Sequence, residues 1–195
     1  MSVPEMRIDD HEGPWTVEDV LALPEHPARV RFELVDGVLM MSPTPGWDHQ
    51  IVSSELHRQI NATMDRSGAP FLSAGAVNVT GDSRLFIPDI AVADSSAVPR
   101  GTLAVPLEAV LLLVEIGSPF NQSTDRILNP TLYAQAKVPA FWRVELEPEV
   151  RVVVHELEAD TYREVATVTG KESVQVADEF TVDLDVAALL GSLAD

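Results

Sequence analysis

The chain has 195 residues, no cysteine, and 31 Asp+Glu against 13 Lys+Arg, for a formal net charge of −18. That length suits one self-sufficient domain, and the missing cysteines exclude disulfides and thiolate metal sites. The charge argues against nucleic-acid binding through an overall field, because phosphate backbones are held mainly by cations.

The order of elements begins with a polar stretch rich in Asp, Glu and Pro, residues 1–14, expected to be a flexible arm ahead of a single domain over 15–195. No basic-then-apolar signal and no run of membrane-span length follows, so a cytoplasmic protein with no membrane association is expected. "TVEDVLALPE" (16–25) predicts a short helix with Thr16 as N-cap, Asp19 three residues on, and Pro24 as its stop. "RVRFELVDGVLMMSP" places Val30, Phe32 and Leu34 on one face and Arg31 and Glu33 on the other. Asp36-Gly37 supplies a tight turn, which makes this segment a hairpin.

Beyond Pro45 the period becomes 3.6. Val52, Leu56, Ile60 and Met64 step by four, His49 stands three residues before Val52, and Gly68 ends an amphipathic helix of about five turns. "AVNVTGDSRLFIPDIAVAD" returns to alternation and predicts two strands. "EAVLLLVEIGSP" (108–119) is a continuous apolar run, as a strand buried on both faces requires, and Glu115 interrupts its C-terminal end. Asn129-Pro130 reads as a cap followed by proline at the first helical position, with a helix from 130. "AFWRVELEPEVRVVVHEL" and "TYREVATVTG" predict a β-meander, Lys171 falls in a further hairpin, and "DLDVAALLGSL" reads as a closing helix. The arginines Arg29, Arg31, Arg58, Arg66, Arg84 and Arg100 read as mostly solvated, and Tyr133 and Trp142 as core. The order of elements indicates an α/β domain with one mixed central sheet.

"FIPDIAVAD" (86–94) sets Pro88 and Asp89 at the entrance of an apolar strand. A carboxylate there requires a partner, which is a hydrogen-bond donor, a cationic side chain or a metal ion. Asp89 and Glu115 stand at ends of two expected central strands, and neighbouring strands lie about 4.8 Å apart. Two carboxylates so close share a proton or hold a cation, and hard oxygen ligands suit Mg²⁺ or Mn²⁺. Glu33 is a candidate third carboxylate.

"RFELVDGVLMMSPTPGWDHQIVSSEL", "IPDIAVAD", "LLLVEIGSPFNQSTDR" and "LYAQAKVPAFWRVE" together resemble, in this order, the Uma-type endonuclease family. That family belongs to the restriction-endonuclease-like superfamily, whose signature is Pro-Asp followed by Asp/Glu-x-Lys. The resemblance spans about residues 16–160. It implies a restriction-endonuclease-like α/β fold, a mixed central β-sheet flanked by helices with a β-hairpin meander, and a homodimer. It further implies metal-assisted hydrolysis of DNA phosphodiester bonds. Glu33, Asp89 and Glu115 fall at the family's acidic positions. Asp89, Glu115 and the backbone carbonyl of Ile116 would ligate Mg²⁺ or Mn²⁺, while Arg126 and His49 match residues expected near substrate. The departure lies in the lysine: Gly117 stands two residues after Glu115, and where relatives carry lysine on the next helix this chain has Asn129. The alternative is a catalytically inactive relative that keeps the fold as an interaction module.

Overall fold

The computed structural model describes residues 8, 11–24, 30–42, 44–117 and 129–191; the remaining positions of the expected arm, with Arg29 and Arg126, lie outside them. Helix α1 (Val17–Leu21) starts with a capping box, in which the Thr16 side chain accepts from the Asp19 N–H and the Asp19 carboxylate accepts from the Thr16 N–H. Strands β1 (Arg31–Val35) and β2 (Val38–Ser42) form the expected hairpin. Asp36 and Gly37 both have positive φ, 48° and 86°, as a two-residue turn matched to strand twist demands. A side chain at Gly37 would also meet the Pro14 Cβ at 2.9 Å.

Helix α2 (Trp47–Ser67) buries Val52, Leu56, Ile60 and Met64, and Gly68 closes it in the left-handed conformation. Five short strands follow: β3 (Phe71–Gly75), β4 (Asn78–Thr80), β5 (Arg84–Phe86), β6 (Ile90–Asp94) and β7 (Ala104–Pro106). The two strands expected before residue 95 are therefore subdivided. Pro88 has no N–H to give a ladder, and the chain changes sheets between β5 and β6 at Pro88-Asp89. Next come β8 (Val110–Ile116), buried at every position, and α3 (Asn129–Gln135). The meander is β9 (Ala140–Glu145), β10 (Arg151–Glu158) and β11 (Thr161–Val168), and the last hairpin pairs β12 (Lys171–Val176) with β13 (Phe180–Asp185).

The expected closing helix is not formed. Asp183 to Asp185 belong to β13, and only a 3₁₀ turn over Val186–Ala188 follows. The cause is an alternation that outweighs the apolar content: Phe180, Val182 and Leu184 are buried while Thr181 and Asp183 are exposed, a period of two.

Three sheets replace the single one expected. The six-stranded sheet runs β11-β10-β9-β8-β6-β3, the five-stranded sheet runs β2-β1-β5-β4-β7, and β12-β13 stands apart. The larger sheet is mixed, with β8 and β9 parallel and the other pairs antiparallel. Its two faces follow residue parity. Ile90, Val92, Val114, Ile116, Trp142 and Val144 pack with α2 and the β12-β13 hairpin. Ala91, Ala93, Leu113 and Phe141 pack with Tyr133 of α3 and with Val79, Phe86 and Val105 of the smaller sheet. A third cluster joins Val20 of α1 to Leu34 and Leu85. No helix among the described residues is long and apolar enough to cross a membrane.

Candidate active site

Residue parity puts Glu115, in phase with Leu113, on the face covered by Tyr133. Asp89 stands one residue before β6, at the end of the sheet, where it meets Arg31 of β1 and His49 of α2. Because β6 and β8 are adjacent, with Ile90 opposite Val114, the two acids meet at one sheet end. Asp89 is 5% exposed and Glu115 6%. On β1, Arg31 and Glu33 share phase with Val35, which packs against the same face, while Leu34 turns to the α1 cluster.

Asp89 accepts three hydrogen bonds from three elements. Its Oδ1 accepts from Arg31 Nη1 at 3.0 Å. Its Oδ2 accepts from the Ile116 N–H at 2.9 Å and meets His49 Nε2 at 2.9 Å. The imidazole is buried, and its Nδ1 has no hydrogen-bond partner among the described residues. Facing a carboxylate oxygen, Nε2 is the nitrogen that carries the donated proton. Glu115 Oε1 accepts from Asn129 Nδ2 at 3.1 Å and from the Tyr133 hydroxyl. Burial pushes the Tyr133 phenol well above its ordinary range, and the charges of Glu115, Glu33 and Asp89 push it further. Tyr133 is therefore a fixed donor, and all three carboxylates act on it.

Glu33 Oε1 accepts from the Ile87 N–H at 2.9 Å. Burial raises its carboxyl above the ordinary 4.5; the Ile87 hydrogen bond and the Arg31 charge oppose this, and the Asp89 charge adds to it. The consequence for stability has a definite sign. Below 4.5 the carboxyl is protonated in folded and unfolded chains alike. Above it the unfolded chain ionises first, so stability is lost as pH rises through the folded value. Glu33→Gln removes that loss and keeps an acceptor for Ile87. Its melting temperature relative to the wild type is expected to climb from pH 4 toward neutrality; a constant difference would show that Glu33 is not held against ionisation.

The structure thus brings together Glu33, Asp89, Glu115, Ile116, His49 and Asn129. Asn129, expected as a helix cap, lies within α3 and gives its side-chain amide to Glu115. Arg126, the expected phosphate contact, lies outside the described residues. Two residues are additions to the expected set. Arg31, read as solvated, has a side chain only 22% exposed and grips Asp89. Tyr133, read as core, is core on one side and a Glu115 donor at its hydroxyl. The hairpin alternation already puts Arg31 on Glu33's face, which is the signal that could have found it. Arg143, opposite Glu115 in the β8-β9 register, hydrogen-bonds Glu145.

The mixed sheet, with its Pro-Asp strand entrance and an acid at the end of the neighbouring strand, matches the arrangement that the resemblance to restriction-endonuclease-like proteins implies. The family follows: a family model described as "Uma2: Putative restriction endonuclease" matches residues 17–188, and the chain belongs to that family. Among solved structures it is similar to one titled as a putative nuclease belonging to DUF820 from Anabaena variabilis ATCC 29413. The identity is 22%, with 91% of this chain and 98% of that chain covered and a TM-score of 0.71, so the likeness is one of fold. No curated protein matches the chain.

Proposed function

We propose that the chain is a divalent-metal-dependent nuclease hydrolysing DNA phosphodiester bonds, its activity held low because Asn129 stands where the family lysine would. The observation that carries the reading is the meeting of two buried carboxylates, Asp89 and Glu115, at adjacent strand ends with Glu33 alongside. Among the described residues no three His, Cys, Asp or Glu side chains are grouped to hold an ion unaided. Two carboxylates nevertheless suit Mg²⁺ or Mn²⁺, since Mg²⁺ commonly keeps several waters and is held through one or two carboxylates plus substrate phosphates. In a strand, the N–H and C=O of one residue leave on the same side. The Ile116 carbonyl therefore leaves toward Asp89, as a third protein ligand would.

A bound ion of this kind polarises a phosphate oxygen and lowers the pKa of coordinated water. The chain's own residues do the rest. The Ile116 N–H and His49 fix the Asp89 carboxylate, and Tyr133 and Asn129 fix Glu115. Glu33, whose carboxyl holds its proton more tightly than usual, is suited to accept the proton of an attacking water. The amide of Asn129 supplies no positive charge, which leaves the developing phosphate charge to arginine. With a net charge of −18, DNA would be held by local cations such as Arg126 and not by the overall field.

The test is Mn²⁺-dependent cleavage of plasmid and single-stranded DNA. Glu115→Gln, which keeps the shape and removes the charge, is expected to lower the rate by about 10²-fold or more. Equal rates in wild type and variant would place any cleavage elsewhere. The second reading, an inactive module for interaction, is favoured by Asn129 on Glu115 and requires that neither protein cleaves under any metal.

A further inference from the structure

Arg31 holds Oδ1, the oxygen of Asp89 that no other described donor reaches. Its Nη1 lies 3.0 Å from Asp89 Oδ1, while both other hydrogen bonds to that carboxylate go to Oδ2. Its charge also acts on Glu33. The guanidinium is half-buried on β1, in a hairpin tied to β5 at Leu34 and Val35. A divalent ion bound between Asp89 and Glu115 would therefore meet a positive charge already in place, and like charges at this range in a buried site repel strongly.

The geometry points to an exchange: Arg31 holds Asp89 in the metal-free protein, and metal binding displaces its guanidinium from Oδ1, freeing it to face a substrate phosphate. The inference rests on the metal-dependent reading above and deepens it by naming the residue that regulates metal entry. Released, the planar fork of arginine matches two phosphate oxygens in a way an ammonium does not. It would supply charge stabilisation in the place left by the missing lysine, without taking part in proton transfer. Arg31 is then a positioning residue for the free enzyme and a phosphate ligand for the loaded one.

The test measures Mn²⁺ affinity in the full chain without DNA, following the free-ion signal by electron paramagnetic resonance. Asp89→Asn serves to subtract binding by the acidic surface. Arg31→Gln is expected to bind Mn²⁺ at the Asp89-dependent site about tenfold or more tightly than wild type. Arg31→Lys, which keeps a charge but loses the fork, is expected to fall between the two, and it carries the test if Arg31→Gln folds poorly. Equal or weaker binding by these variants would overturn the exchange and leave the metal site standing. Absence of any Asp89-dependent Mn²⁺ binding, in wild type and variants alike, would overturn both.

Discussion

Asn129→Lys is expected to raise Mn²⁺-dependent DNA cleavage by about 10²-fold over the wild type, the size of effect found when a single charge-stabilising group is added to or removed from a transition state. Asn129 is 7% exposed and its Nδ2 already touches Glu115 Oε1, so an ammonium from this position reaches the carboxylate pair where a phosphate would lie. The longer side chain overfills a packed site at a cost of about 1–3 kcal/mol, so the melting temperature should fall even as activity rises. The other position for the lysine, two residues after Glu115, is less accommodating. The Gly117 N–H donates to the Val144 carbonyl at 2.7 Å, and a Cβ there would stand 3.3 Å from that same oxygen. Gly117→Lys is thus a poor route to the same chemistry. If Asn129→Lys folds, binds Mn²⁺ and cleaves neither single- nor double-stranded DNA, the lysine is not what the site lacks, and the interaction-module reading takes precedence.

Local periodicity carries the hairpin, α2 and the fully buried β8, because each writes its burial into its own residues: Leu34, the Val52-to-Met64 stripe, and the run from Val110 to Ile116. The same logic explains the C-terminus, where a strand and a 3₁₀ turn stand in place of the expected closing helix. The apolar content of residues 186–190 suggests a helix, yet Phe180, Val182 and Leu184 impose a strand up to Asp185. The division into separate sheets is less legible, since it depends on which edges pair and not on which residues are apolar. The site divides in the same way. Asp89 and Glu115 stand out as carboxylates interrupting apolar strands, a local anomaly. Arg31 reaches Asp89 across 58 positions and Tyr133 reaches Glu115 across 18; the hairpin alternation puts Arg31 on Glu33's face but does not name Asp89 as its partner, and nothing around Tyr133 announces its contact. A tyrosine whose ring packs against Phe86 and Phe141 reads as core because it is core, and only its hydroxyl belongs to the site.

Asp89→Ala is expected to destabilise the metal-free protein by about 3–5 kcal/mol, the cost of removing one partner from a buried ion pair. For a chain of this length that is on the order of a 10 °C fall in melting temperature. Two effects compete. Asp89 adds negative charge near Glu33 and Glu115, and functional sites are commonly retained at a cost to stability, so its removal relieves repulsion. Against this, its carboxylate is the shared acceptor for β1 through Arg31, α2 through His49 and β8 through the Ile116 N–H. Alanine leaves a guanidinium, an imidazole and a buried backbone N–H without that partner. Three lost acceptor contacts, one of them to a charged donor, outweigh repulsion from two carboxylates that have donors of their own. The melt repeated with Mn²⁺ then separates structure from chemistry. The wild type should gain stability with the logarithm of metal concentration, while Asp89→Ala should not respond beyond the weak effect expected of an acidic surface. An alanine variant more stable than the wild type would mean that repulsion dominates, and that Arg31 grips Asp89 too weakly to delay a metal ion.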